Sequence, residues 1–83
     1  MKKYLVDIHL PAAGKHLNVL LPSTKEIGEV IGLLIRVAEP LTGGSYKGTS
    51  NTMLLDAESG LPFDRNKTVE EVGIRNASYL ILI

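Results

Sequence analysis

The sequence predicts a single α+β domain in which one helix packs on a mixed β-sheet. The chain has 83 residues, enough for one modest hydrophobic core and too few for two. Residues 4–10 and 16–21 alternate with the period of a strand, whereas residues 27–38 carry apolar side chains at helical spacing. The apolar run at residues 78–83 is typical of a strand covered on much of both faces.

Composition excludes several functional classes. Nine basic and nine acidic residues cancel, and no basic run exceeds Lys2 and Lys3, so nucleic acid is not an expected partner. The absence of cysteine excludes disulfides and thiolate chemistry. Asp7 and His9 interrupt what would otherwise resemble a signal peptide, and no segment reaches the roughly 18 apolar residues of a membrane span. We expect a soluble cytoplasmic protein without direct membrane insertion.

The first two strands should form a hairpin around the turn at residues 11–14. This turn, PAAG, ends in glycine, the residue that best tolerates a positive φ. One register places all the strong apolar positions of both strands on a single face. It pairs Leu10 with Lys15, Ile8 with Leu17 and Val6 with Val19.

The helix should follow Pro22, which ends the second strand. Ser23 and Glu26 have the spacing of a capping box, and the residue before Pro40 disfavours the α region, so the helix should end there. Gly28 and Gly32 each cost about 1 kcal/mol relative to alanine inside a helix. Their presence indicates either close approach of a partner or packing of the loop that follows. The predicted core stripe consists of Ile27, Val30, Ile31, Leu34 and Ala38.

The second half of the chain should add shorter elements. A loop rich in glycine, serine and threonine covers residues 42–52, and short strands are predicted at 52–56 and 61–63. Thr68 and Glu71 have capping-box spacing around a single helical turn. The predicted order is therefore β-β-α-β-β-(short helical turn)-β, with the first and last strands paired in the middle of the sheet.

This order, together with particular motifs, resembles ubiquitin and its β-grasp fold over nearly the whole chain, residues 1–83. The motifs are P-S-x-x-x-I at residues 22–27 and V-x-x-V-G-I at 69–74, followed by the last strand. The ending TVEEVGIRNASYLILI is most similar to the small bacterial YukD/EsaB proteins. The glycine-rich loop at 42–52 departs from the pattern. This resemblance implies a cytoplasmic accessory of a bacterial type VII (ESS/Yuk-type) secretion system, peripheral to its membrane complex, with a secretion ATPase or membrane components as protein partners and WXG-type substrates.

The alternatives are a ubiquitin-like modifier or sulfur carrier, and a self-associating structural module. Modifiers and carriers react through a flexible Gly-Gly end, whereas this sequence stops at Ile83 and has its only Gly-Gly, Gly43 and Gly44, in the loop. We therefore expect a structural C-terminal strand without conjugation, and leave a homodimer open.

Catalysis is not expected from this chain. His9 and His16 should face each other in the hairpin with Asp7 nearby, and two imidazoles with a carboxylate could bind a metal ion. The better interpretation is two exposed histidines on a solvated sheet face, because no fourth ligand is evident. The segment GGSYKGTS at residues 43–50 lacks the spacing of a phosphate-binding loop. We predict no enzyme activity, no catalytic residues, no metal and no cofactor.

Binding through the sheet remains. Alignment to the ubiquitin pattern directs Leu80 and Leu82 inward. The residues expected to form an exposed apolar strip for partner proteins are Leu5, Leu20, Leu54, Tyr79 and Ile81. The alternative is that the loop at 42–52 or a second copy covers this strip.

Overall fold

A computed structural model describes residues 2–83, so the predicted domain of 1–83 extends beyond the described part only at Met1. Four strands form one sheet in the order β2-β1-β4-β3, with β1 and β4 parallel at its centre and the outer pairs antiparallel. The elements are β1 (Lys3–Leu10), a 3-10 turn (Pro11–Ala13), β2 (Lys15–Pro22), α1 (Ile27–Leu41), β3 (Leu54–Asp56) and β4 (Tyr79–Leu82). The predicted fold class is confirmed. No helix in residues 2–83 is long and apolar enough to cross a membrane.

The hairpin has the predicted register. Leu10 lies opposite Lys15, and the pairing continues without a bulge to Lys3 opposite Pro22. Gly14 closes the turn at φ +60°, where a Cβ would be unfavourable. The alternation predicted this register, because a shift by one residue would turn the inward side chains of β2, Leu17, Val19 and Leu21, to the outer face.

The core lies between α1 and the inner sheet face. All five residues of the predicted helix stripe are buried, as are the inward residues of β1 and β4. Tyr46, from the loop after α1, is also buried at 2 % exposure, so this loop packs into the core. The buried sheet residues are Tyr4, Val6, Ile8, Leu10, Leu17, Leu21, Leu54, Leu80 and Leu82.

The predicted capping box at Ser23 and Glu26 is wrong. Ser23 is buried, its N–H donates to Lys2 O at 2.9 Å, and Glu26 is the N-cap residue without a side-chain cap. The first helical N–H groups instead bond to a distant segment. Ile27 N donates to Lys67 O at 2.9 Å and Gly28 N to Arg65 O at 3.0 Å. Backbone carbonyls from elsewhere in the fold therefore satisfy these donors in place of a local side chain.

The helix also ends later than predicted, because it continues through Pro40 to Leu41. Thr42 stabilises this last turn through two hydrogen bonds to the same carbonyl. Its N–H and its hydroxyl both donate to Ala38 O, at 3.0 and 2.8 Å. The bias of the residue before a proline away from the α region is therefore overcome by a C-terminal cap that the sequence pattern did not indicate.

The later elements follow the prediction in part. The expected strand at 61–63 is reduced to a single bridge between Leu55 and Pro62. The second capping box is confirmed, since Thr68 N donates to Glu71 Oε1 at 2.8 Å and Glu71 N donates to Thr68 Oγ1 at 3.2 Å. The local motif satisfies the N–H groups of Thr68 and Glu71, while carbonyls of Lys25 and Ser23 accept those of Val69 and Glu70 between them.

The two helix glycines have different surroundings. A Cβ on Gly28 would lie 3.4 Å from Arg65 O, so packing of that segment explains the first glycine. The packing is not with the 42–52 loop that we expected. A Cβ on Gly32 would meet nothing within 4 Å, and this residue is exposed. The fold gives Gly32 no role.

We therefore predict that Gly32→Ala raises the free energy of unfolding by about 1 kcal/mol, because alanine loses less backbone entropy in a helix. Urea denaturation followed by circular dichroism measures this change. Gly28→Ala is the matched control and should gain clearly less, since its new methyl group presses on Arg65 O. Equal gains at both positions would contradict the packing assigned to Gly28.

Leu34→Ala should lower the free energy of unfolding by about 2–5 kcal/mol, because Leu34 is 3 % exposed in the core. Leu41→Ala, at 57 % exposure on the same helix, is the control and should lose far less. The same denaturation experiment compares them. A loss well below 1 kcal/mol for Leu34→Ala would show that the helix faces the sheet with another side.

Candidate protein-binding surface on the sheet

The face of the sheet opposite α1, hereafter the outer face, is arranged in rows by strand pairing. Leu20 and Leu5 lie opposite each other at one end. The middle row runs from Asn18 through Asp7 to Tyr79. The last row runs through His16, His9, Ile81 and Leu55. Since side chains of directly paired residues share a face, this pairing defines which residues a partner would meet.

Four of the five predicted site residues lie on the outer face. Leu5, Leu20 and Tyr79 are 50 %, 59 % and 67 % exposed, and Ile81 is half-buried beside them. Leu80 and Leu82 point into the core as expected. The loop at 42–52 does not cover this face, because Tyr46 is buried in the core and Gly48 packs against Ile35 of α1.

The assignment of Leu54 to the outer face is wrong. Leu54 is 1 % exposed and lies opposite Leu82, which is itself inward. Directly paired residues share a face, so Leu54 must also face the core and Leu55 takes its place beside Ile81. The sequence alone does not show which face Leu54 takes, because that depends on the register of β3 with β4, and the glycine-rich loop before β3 departs from the ubiquitin pattern.

Polar groups interrupt the apolar strip on the β1–β2 side. The rings of His9 and His16 stack with centroids 4.4 Å apart and planes within 11°. The Nδ1 atom of His16 lies 2.8 Å from Asp7 Oδ1. The predicted opposition of the two histidines is confirmed. Together with Asp7 and Asn18 they occupy the β1–β2 half of the middle and last rows, next to the apolar end at Leu5 and Leu20 and the apolar side along β4.

Residues 2–83 contain no group of three or more histidine, cysteine, aspartate or glutamate side chains placed to hold a metal ion. The carboxylate of Asp7 is engaged by His16, which leaves the two imidazoles as the remaining donors of that cluster. The geometry of this cluster therefore fits an exposed polar patch better than a metal centre.

A shallow groove joins the two apolar parts of the outer face. It is formed where the turn before β4 meets β1. Asn76 accepts the Leu5 N–H through Oδ1 at 2.9 Å, and Ala77 N donates to Leu5 O at 2.8 Å. Ala77 has φ +68°, a left-handed conformation unusual for alanine, and sequence reasoning gave no signal for it. The groove is lined by Leu5, Val6, Asp7, Asn18, Asn76, Ala77 and Tyr79.

This surface has the composition of a binding face without the features of a reaction centre. It presents an exposed tyrosine, aliphatic side chains and an adjacent patch of polar groups, which are the ingredients of protein interfaces. Its hydrogen-bonding groups include a carboxylate, two imidazoles and two amides. They are suited to orient a partner that contacts the apolar residues beside them.

Comparison with known proteins agrees on the fold. No family model and no curated protein matches the chain. Among solved structures, the EccD5 ubiquitin-like domain from Mycobacterium xenopi aligns at TM-score 0.84 and 20 % identity, over all of this chain and 94 % of that one. A chain of the MycP5-free ESX-5 inner membrane complex aligns at 0.85 and 15 % identity, over all of this chain and 21 % of that one.

A third similar structure is the ubiquitin-like domain of the Mycobacterium tuberculosis type VII secretion system protein ECCD1. It aligns at TM-score 0.69 and 14 % identity, covering all of this chain and 99 % of that one. The TM-scores of 0.69 to 0.85 over the whole chain establish a shared ubiquitin-like fold, and identities of 14–20 % show no more than the fold. The predicted resemblance to ubiquitin-like proteins is therefore confirmed at the level of fold, through domains of the EccD type. The narrower resemblance to YukD/EsaB proteins stays a prediction.

Substitution by aspartate should affect stability differently on the two faces of the sheet. Tyr79→Asp should leave thermal unfolding nearly unchanged, because its side chain is largely in solvent. Leu54→Asp should unfold the protein, because it places an unpaired carboxylate in the core at a cost of several kcal/mol. Circular dichroism melts of both variants measure the difference. A folded Leu54→Asp variant would contradict the pairing of β3 with β4.

Proposed function

We propose that this chain is a non-conjugating ubiquitin-like accessory or regulator of a bacterial type VII secretion system and acts by non-covalent protein binding. The observation that carries the proposal is the full-length structural similarity to the EccD5 ubiquitin-like domain. The ending TVEEVGIRNASYLILI, which resembles that of YukD/EsaB proteins, supports the narrower assignment to that type.

The proposed binding surface is the outer face. Leu5, Leu20, Tyr79 and Ile81 supply its apolar contacts, and Leu55 replaces Leu54 in this role. Such a surface favours docking, since association removes exposed apolar area from water and the surrounding polar groups fix the orientation. The partner proposed for it is a cytoplasmic part of the secretion ATPase or another component of the membrane complex. The chain would then work in the cytoplasm, at the periphery of that complex.

The similarity to a chain of the ESX-5 inner membrane complex supports this choice of partner class. In that complex a ubiquitin-like unit occurs within a longer chain, of which the present chain matches 21 %. A domain of this fold would act in such a complex by binding other components through its surface. We therefore propose that the outer face provides the binding free energy and that the chain does not catalyse a reaction.

The alternative function is a ubiquitin-like modifier or sulfur carrier that works with an adenylating enzyme. Residues 79–82 are paired on both sides in the sheet, with β1 and with β3. An adenylating enzyme needs an accessible tail that ends in Gly-Gly, whereas the one Gly-Gly pair within residues 2–83, Gly43 and Gly44, lies in the loop after α1. A tail ending there would lack both β3 and β4, so this placement favours the binding function over the carrier function.

Affinity capture from native cytosol and solubilised membranes tests the proposal. The bait proteins are the wild-type chain, Tyr79→Asp on the outer face, and Leu61→Asp as the control. Leu61 is 66 % exposed in the loop after β3, close to the exposure of Tyr79. Its substitution therefore adds the same charge at a similarly exposed position outside the outer face. Mass spectrometry identifies the retained proteins.

The proposal predicts that wild type and Leu61→Asp retain type VII secretion components and that Tyr79→Asp loses most of them. Retention by all three baits would contradict the outer face as the binding site. Recovery of an adenylating enzyme, or of covalent adducts of the chain, would contradict the proposed function and favour the carrier.

A further inference from the structure

Strand β2 lies at the edge of the sheet, with one side paired to β1 and the other side open within residues 2–83. In an antiparallel pair alternate residues direct their N–H and C=O groups toward the partner strand. Ser23 N donates to Lys2 O, and the same alternation directs the backbone groups of Leu17 and Val19 to β1. The backbone groups of His16, Asn18 and Leu20 therefore point to the open side. Such an edge is a template for another strand.

An apolar groove runs along this edge between β2 and the adjacent flank of α1. Leu33 and Val37, which are 44 % and 47 % exposed, form the helical side of it. They lie on the flank of α1 opposite to Ile35, the residue against which Gly48 packs. The groove is lined by Val19, Leu20, Leu21, Pro22, Val30, Leu33, Leu34 and Val37.

Two opposite charges border the groove on the helix. Glu29 and Arg36 lie on the solvent side of Leu33, four residues before it and three residues after it. Glu29 forms an ion pair with Lys25 at 3.6 Å, with both side chains well exposed. Arg36 is in none of the three ion pairs found within residues 2–83. Glu29 and Arg36 therefore lie nearly symmetrically about the centre of the groove, with Lys25 as a second base beside Glu29.

We propose that this groove, with the edge of β2, is a self-association interface for a second copy of the chain. A two-fold axis perpendicular to the sheet would place β2 antiparallel to β2 of the partner copy, extending the sheet across both copies. The same axis places the two α1 helices antiparallel on one side of that sheet, with their Leu33 and Val37 side chains in the groove between them.

The charges fit this arrangement. When the axis passes between positions 32 and 33 of the helix, Glu29 of each copy lies opposite Arg36 of the other. The two-fold axis repeats every contact, so the Glu29–Arg36 ion pair forms twice across the interface. A strand from an unrelated protein would satisfy the open backbone groups equally well. Only a second copy supplies both the matching apolar flank and the two reciprocal ion pairs.

The dimer interface and the outer face share Leu20, but the dimer does not rest on the proposed function. A dimer formed in this way leaves Tyr79 and Ile81 free, because both are on the central strand β4 and face away from α1. A chain that stays monomeric would therefore contradict the dimer alone, whereas the Tyr79→Asp bait tests the outer face alone.

Sedimentation velocity of the purified chain over a wide range of concentrations tests the dimer. We expect reversible association of the wild type. Glu29→Arg should raise the dimer dissociation constant about tenfold or more, because two like charges then face each other in each pair. Arg36→Glu should do the same. The double variant Glu29→Arg with Arg36→Glu should return close to the wild-type value, since it rebuilds both pairs with reversed sign.

Leu61→Asp is the control and should associate as the wild type does, because Leu61 lies outside the groove. Circular dichroism confirms that each variant is folded, which these exposed positions should allow. A chain that stays monomeric at every concentration would overturn the inference. A double variant that associates as weakly as the single ones would also overturn it, since reciprocal pairing demands recovery.

Discussion

The parallel pairing of β1 with β4 is the contact on which the rest of the structure depends. It joins residues near the two ends of the described chain, with Asp7 N donating to Ser78 O at 3.0 Å and Ile8 lying opposite Leu80. Once β4 is in place, β3 has a strand to pair with and α1 has a continuous apolar floor. The same pairing brings Leu5 and Asp7 next to Ala77 and Tyr79, so it also builds the candidate binding surface. The fold and the candidate binding surface therefore both depend on the pairing of β1 with β4.

Sequence patterns predicted correctly those features of the fold that depend on neighbouring residues. Alternation fixed the hairpin register, and helical spacing identified Ile27, Leu34 and the other stripe residues as core. The predictions failed where a distant segment changed the local balance. Carbonyls of Arg65 and Lys67 satisfy the start of α1, so the Ser23 capping box is not needed. A short local motif cannot reveal a partner that lies far away along the chain.

The candidate surface was predictable to a similar degree. Leu5 and Leu20 follow from the hairpin alone, and Tyr79 follows from the family pattern. Leu54 was misplaced because the face of β3 depends on its register with β4, which no alternation within so short a strand determines. Ala77 was missed because a left-handed alanine has no signature in the sequence. Both features are set by tertiary contacts, and local sequence patterns do not record those contacts.

The central claim is that the outer face binds a component of the secretion machinery without covalent chemistry. Methyl-resolved NMR of the leucine, isoleucine and valine side chains tests it most directly, with the purified cytoplasmic region of a type VII secretion ATPase as the titrant. We expect shifts concentrated on Leu5, Leu20, Leu55 and Ile81, whereas the core methyl groups of Leu34 and Ile27 change little. Shifts confined to Leu33 and Val37 of α1, or no shifts at a saturating concentration of the titrant, would contradict the claim.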